Sequence, residues 1–299
     1  MATKAQAQGH LAALFTILVW GSTFISTKVL LESFSPFEIM VYRLVMAVVA
    51  LCIISPPRLS RERLNFRVLR SEWRFMAAGL CGVTLFILFQ NLALSYTQAA
   101  NVSVLISAAP LFTALLSRLV LSEKLKANFF IGFTVAMAGI ILIAFNGRFV
   151  LKLNPLGDLL SLLAALVWAF YSVLIKKINA PQSEAFAGTR KVFFNGLLFT
   201  LLLLPLFDFH PGLERLAVPA NLLNLLFLGV VASALCYVTW NIAVHLLGPV
   251  KTSSYIYVIP VVTIAISALV LHESITLVAG MGIALILIGM ALSERGKAT

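Results

Sequence analysis

Apolar residues in this chain come in long unbroken runs, separated by short stretches that are polar and mostly basic. Ten runs reach about 20 residues, the length a helix needs to cross the hydrocarbon core of a bilayer. They cover 10–31, 36–55, 73–95, 99–121, 127–146, 155–177, 184–206, 219–246, 250–271 and 275–293. None alternates with a period of two, so membrane strands are excluded. The shortest separator, His272–Ser274, divides the ninth run from the tenth. A single helix through it would exceed 40 residues, so two are expected.

Composition agrees with this pattern. Of 299 residues, 61% are apolar and 11% charged, with a mean hydropathy of +1.02. A soluble domain carries about 25% charged residues, and no polar stretch here is long enough to hide one. The net charge of +11 would suggest nucleic acid in a soluble protein. Here the cations sit between apolar runs, as the positive-inside rule describes, and no nucleic-acid partner is expected. With an even helix count, 15 of the 22 basic residues fall in segments on the side of the N-terminus and four on the other. Both termini are therefore expected in the cytoplasm. Cys52, Cys81 and Cys236 all lie within apolar runs, which argues against a disulfide framework or a metal site. Met1–Gln8 lacks the features of a cleaved signal peptide, so the first run is read as a retained helix.

The chain also repeats itself. At a shift of 150 residues, 14 of the 53 positions from Asn91 to Ile143 are identical. The informative pairs are Asn91/Asn241, Ser103/Ser253, Pro110/Pro260, Thr113/Thr263, Ser117/Ser267, Glu123/Glu273, Gly132/Gly282 and Gly139/Gly289. Upstream, Trp20 matches Trp168 at a shift of 148, and Arg43 matches Arg190 at 147. The unit holds five helices. An odd number turns the second copy upside down, the inverted architecture of many secondary transporters. The expected fold is all-α and integral to the membrane: ten helices as two inverted repeats, 1–147 and 148–299, around a central cavity.

The segments "VWGSTF", Asn91–Ala93 with Asn241–Ala243, "AAPLFTALLSRLVLSEKL" and "IPVVTIAISALVLHESIT" resemble the EamA type of the drug/metabolite transporter superfamily. The likeness covers essentially the whole chain, and within the family it is similar to YddG-type bacterial exporters of aromatic and other amino acids. The resemblance implies a bacterial inner-membrane protein that exports small molecules from the cytoplasm by alternating access.

Helical periodicity then picks out candidate substrate residues. One face of the first helix carries Thr16, Trp20, Thr23 and Thr27, too polar for lipid. Phe86, Gln90 and Asn91 come from the third helix, Trp168 and Tyr171 from the sixth, Tyr237, Trp240 and Asn241 from the eighth. Ser103 and Ser107 lie on a stripe of the fourth helix, Ser253 and Tyr257 on the matching stripe of the ninth. Tryptophan prefers membrane interfaces, so Trp20 and Trp168, both well inside their runs, are expected at the cavity. The opposing interpretations are aromatic core packing and small polar residues that bind helices together. Pro110 and Pro260 each remove a backbone donor and are expected to act as hinges. Arg43 and Arg190 have two readings, as partners of a substrate carboxylate or as side chains that snorkel or pair with Glu38 or Glu184. Their nearness to helix ends points to the second. The glycines spaced by seven are expected to pack helices within the chain.

All eleven acidic residues lie in loops or near helix ends, so transport driven by a buried mid-depth carboxylate is not expected. No H-E-x-x-H or G-x-S-x-G motif is present, which leaves an intramembrane enzyme no catalytic group, cofactor or metal. The competing readings are an exporter of other metabolites or drugs, and a passive channel. The expected partners are lipid and a small-molecule substrate such as an amino acid, with the protein a monomer.

Overall fold

The protein is described by a computed structural model, which covers residues 4–57, 66–97, 99–125, 127–144, 154–207, 209–271 and 277–294. Ten helical spans follow in order: α1 (Lys4–Leu30), α2 (Pro36–Ile54), α3 (Phe66–Gly79, Leu80–Leu85, Phe86–Tyr96), α4 (Ala99–Ile106, Ala109–Leu121) and α5 (Ala127–Ala144). The second set is α6 (Pro155–Ile178), α7 (Ala185–Leu202), α8 (Pro219–Leu226, Phe227–Leu235, Cys236–Leu247), α9 (Pro249–Ser253, Ser254–Val258, Ile259–Leu271) and α10 (Leu277–Glu294). Among the described residues, seven spans are long and apolar enough to cross a membrane by length and composition alone; α5 and α10 contain shorter apolar helices. The outer surface carries a belt of bare aliphatic side chains, Leu11, Ile53, Leu119 and Leu202 among them, as lipid requires. The separator at His272–Ser274, with Glu273, lies outside the described residues, as do Lys126, Arg148, Lys152, Arg295, Lys297 and the side chains of Arg58, Arg61, Arg63, Arg67, Arg70 and Ser267.

Local chemistry sets the helix ends. Ser35 accepts from the Glu38 N–H while Glu38 accepts from the Ser35 N–H, a capping box that starts α2 with Pro36 in its first turn. Asn154 caps α6 through the Gly157 N–H, ahead of Pro155. Between α8 and α9 the chain reverses at Gly248, whose φ of 86° favours glycine.

The spans thread alternately, so α1 and α10 place their chain-terminal ends on one face, the terminal face. The far face carries the α1–α2 and α7–α8 links. The two halves are inverted copies down to individual contacts. Gly9 of α1 abuts Leu247 at the end of α8, and its counterpart Gly157 of α6 abuts Thr97 at the end of α3. Gly79 of α3 lies against Gly196 of α7, while Gly229 of α8 lies against Arg43 and Met46 of α2. Along α5 and α10, a Cβ on Gly132 would sit 2.5 Å from the Gly289 carbonyl, and one on Gly139 2.6 Å from the Gly282 carbonyl. The four glycines thus let two backbones touch within one chain.

Both α3 and α8 contain a π-helical stretch, Leu80–Leu85 and Phe227–Leu235. These overlap at the repeat shift of 150. Likewise α4 breaks at Ser107–Ala108 and α9 tightens to a 3₁₀ turn at Ser254–Val258, each just before the repeated proline.

Candidate functional site

At the centre, Trp20 of α1 and Trp168 of α6 meet edge to face, ring centroids 5.1 Å apart. These are the repeat-related tryptophans. Tyr237 and Trp240 of α8 pack on both, at 5.2–5.6 Å. Tyr171 adjoins Trp168 at 5.0 Å, and Phe86 of α3 adjoins it at 4.7 Å. All but Phe86 are buried. The rings thus pack against one another where the two repeats meet.

The π-helical stretches explain how the rings are held. A wide turn leaves carbonyls without their i+4 partner, and such groups need a donor inside a membrane. Ala232 in α8 accepts from Trp20 Nε1 at 2.8 Å. Gly82 in α3, its counterpart at a shift of 150, accepts from Tyr237 Oη at 2.8 Å. Sequence alone missed both sites, because a wide turn has no composition of its own; the glycines Gly79, Gly82 and Gly229 were the available signal. The two sides are not equal. A Cβ on Gly82 would lie 2.1 Å from the Tyr171 ring, so a bulky Tyr171 faces a glycine. The matching residues are a small Thr23 and Ala232. Similarly Tyr237 and Trp240 correspond to Ile87 and Gln90. Aromatic bulk is therefore concentrated on the second repeat.

Asn241 accepts from Tyr171 Oη at 2.7 Å and donates to Thr189 Oγ1 at 3.0 Å, tying α8 to α6 and α7. Asn91, its repeat mate, donates to the Pro36 carbonyl on α2 at 3.0 Å, and its Oδ1 is buried without a partner. Beside the Asn241 bond a small crevice of about 30 Å³ lies towards the terminal face, lined by Ile175, Gly188, Thr189, Val192, Asn241 and His245. Thr16, Thr23 and Thr27 are buried with Trp20 on one face of α1; Thr23 donates to the Trp20 carbonyl. Gln90 is buried on α3.

The stripes of α4 and α9 fare differently. Ser103 and Ser107 are buried, and Ser107 donates back to the Ser103 carbonyl; Ser253 does the same to Val250. Tyr257 packs with Ala136, Ile140 and Ile286 of α5 and α10, not with the aromatic centre. The 3₁₀ turn accounts for this: residues advance about 120° rather than 100° per position, so a stripe drawn at 3.6 residues per turn drifts across Ser254–Val258.

The arginines also separate. Arg190 donates to the Ser55 carbonyl near the terminal face. Arg43 pairs with no acid among the described residues; it is buried and donates from Nε to Ser233 Oγ at 2.6 Å, one turn from Tyr237. Glu38 is instead taken by Arg215 from the α7–α8 link, Nη2 to Oε1 at 2.8 Å and Nη1 to Oε2 at 3.1 Å. No cluster of three His, Cys, Asp or Glu suited to a metal occurs among the described residues.

Comparison with known proteins adds the family. The model of the EamA-like transporter family matches twice, over residues 7–145 and 155–294. The chain is 29% identical over 272 residues to an uncharacterized transporter of Archaeoglobus fulgidus, covering 88% of this chain and 89% of that one. It is 28% identical over 287 residues, 95% and 92% of the two chains, to a probable terminal-alkyne amino-acid exporter of Streptantibioticus cattleyicolor. It is 25% identical to the uncharacterized inner membrane transporter YedA of Escherichia coli, over 97% of this chain and 90% of the other. A solved structure described as "Crystal structure of protein" matches over 100% of both chains, with TM-score 0.73 and 19% identity, and shares the fold.

Proposed function

Because the chain belongs to the EamA-like transporter family, we propose that it exports small amphipathic metabolites, neutral and aromatic amino acids foremost, by alternating access between its two halves, 1–147 and 148–299. The observation that carries this reading is the pairing of Trp20 with Trp168 across the repeats, connected through Tyr171 and Asn241 to the crevice on the terminal face. An aromatic wall with a few amides and hydroxyls suits a ligand with one apolar and one polar end. The amino-acid exporter among the relatives supports the same class.

The excess of basic residues on the terminal face supports a bacterial inner-membrane protein with both termini in the cytoplasm, acting as a monomer. The crevice is then the cytoplasmic entrance. Substrate enters past Thr189 and Asn241, parts the Tyr171–Asn241 bond, and displaces rings to create the binding site. Phe86, Gln90, Asn91, Ser103, Ser107 and Ser253 would line the widened site together with Thr23, and Pro110 and Pro260 would serve as the hinges.

The test is counterflow in proteoliposomes with labelled phenylalanine and threonine, for wild type, Trp20→Ala and Trp168→Ala at matched protein content. A buried aromatic contact contributes about 1.5–3 kcal/mol, so phenylalanine affinity should fall about tenfold or more. Threonine should lose less. Equal mild losses for both would make the tryptophans packing residues and move the site elsewhere.

A further inference from the structure

A charge inside a membrane protein ordinarily meets an opposite charge or opens to water. Arg43 meets neither. It is 3% exposed, well inside α2, and its Nε–H is spent on Ser233. Its Nη1 is buried with no acceptor. The ion pairs among the described residues are Lys191 with Glu72 and Arg215 with Glu38, so no carboxylate neutralises it there. Nor does an aromatic face lie beneath its guanidinium among the cation–π contacts, which involve Lys191 and Arg215.

The surroundings share one deficit. Trp168 Nε1 and Trp240 Nε1, in the ring cluster that Tyr237 connects to the Arg43 side of α8, are also buried donors without acceptors. Each of these three buried donors lacks an acceptor, and Arg43 lacks a negative charge as well. A guanidinium fork matches a carboxylate in both geometry and charge. Ser233, to which Arg43 is bonded, lies one turn along α8 from Tyr237, which packs on Trp20 and Trp168.

We propose that Arg43 is the anchor for the carboxylate of the transported substrate, which would supply the missing counter-charge; this rests on the amino-acid reading above. A substrate carboxylate as partner would explain why a charge is kept in a place where it costs stability. The repeat mate Arg190 has no such role, since it is bonded at the terminal face.

The full chain, purified in nanodiscs, tests this through quenching of its own tryptophan fluorescence. The probes are phenylalanine against phenylalaninol, and phenylacetate against 2-phenylethanol, each pair differing in the carboxylate. Wild type should bind the acid of each pair at least tenfold more tightly. Arg43→Met should bind acid and alcohol alike, while Arg43→Lys, which keeps the charge without the fork, should fall between. The ligand-free melting temperature separates binding from structure. Arg43→Met should melt at or above wild type, because the charge it removes has no partner, whereas a structural arginine would lower it. Wild type that does not distinguish acid from alcohol, or Arg43→Met that weakens both equally, overturns the assignment. Counterflow reports on the other reading: preference for phenylacetate with no counterflow of any amino acid keeps Arg43 as a carboxylate site and rejects amino acids as the cargo.

Discussion

At the far face Glu38 and Arg215 join in a two-pronged ion pair, and Arg215 also bonds the Ser33 and His210 carbonyls and covers the Phe34 ring. Phe37 stacks on Phe207 beside it, and Ser26 bonds Asn224 between α1 and α8. At the terminal face the position matching Glu38 is Ala185, and Ala185 lines the crevice. The ion pair found there, Lys191 with Glu72, is about half exposed and spans α7 and α3. One repeat, used in both directions, thus clasps one face with an ion pair and leaves a crevice at the other, and the acid present in the first copy and absent from the second is one difference between them. A buried carboxylate with a fork on it is a strong clasp; an exposed pair contributes about 0–1 kcal/mol.

The far-face clasp should give the largest effect when broken. Arg215→Ala strands a buried carboxylate and should cost the closed state about 2 kcal/mol, the value for a buried pair reduced for Arg215's partial exposure. That is roughly a thirtyfold shift between conformations. With the three native cysteines replaced by serine, a cysteine at Ser26 should react far faster with a membrane-impermeant maleimide added at the far face. Unchanged labelling would place the seal elsewhere.

At the terminal face the corresponding break is Tyr171→Phe. It leaves the partly exposed Asn241 Oδ1 without its donor, a cost of about 1 kcal/mol. A cysteine at Ile242 should then label several-fold faster from the terminal side, and one at Ser26 no faster. Acceleration at both would mean that the centre couples the faces more tightly than two separate closures do.

The ten spans were legible because lipid demands long apolar runs, and the inversion was legible because Asn91, Pro110, Gly132 and Gly139 recur at one interval. What stayed hidden depends on local winding. The wide turns at Leu80–Leu85 and Phe227–Leu235 and the tight turn at Ser254–Val258 change which way side chains point without changing residue type. For that reason Tyr257 moved to the α5–α10 contact while Tyr237 reached the Gly82 carbonyl. Arg43 and Arg190 look alike in sequence, yet depth and neighbours separate them: Gly229 brings α8 close enough for Ser233 to reach Arg43. The sequence offered Glu38 or Glu184 as partners by nearness alone, whereas Glu38 is taken by Arg215 and Arg190 bonds the Ser55 carbonyl.

Smaller effects should sharpen the contrast between faces. Lys28, at the end of α1, donates to the Leu94 and Thr97 carbonyls that end α3. Lys176, its repeat mate in α6, donates to the His245 carbonyl near the end of α8. A cation on free helix-end carbonyls contributes about 0.3–1 kcal/mol. Lys28→Met and Lys176→Met should therefore shift the same two cysteine labels by a few-fold, each mainly on its own face. If both mutations move the same label, the lysines do not belong to separate faces.

The smallest expected effect is one of pH. Burial holds the Glu123 carboxyl above the usual glutamate value, against the pull of Lys176. A pKa raised by folding gives stability that is present below the ordinary glutamate range and is lost as pH rises through the folded value. Melting temperature should thus decline slightly over that interval in wild type and less in Glu123→Gln. Equal slopes would show that Glu123 does not contribute.

The seam between α5 and α10 has the symmetry of a homodimer. Gly132 touches Gly289 and Gly139 touches Gly282, so each residue contacts the counterpart of the other. That is the self-complementary contact of a two-fold interface between identical subunits, here enclosed in a single polypeptide. A chain cut between α5 and α6 and expressed as two fragments would still carry both surfaces of that contact. The fragments should find each other in the bilayer and copurify, and bulk at Gly139, as in Gly139→Leu, should abolish their reassociation more readily than it unfolds the intact protein, where the linker keeps the halves at high effective concentration.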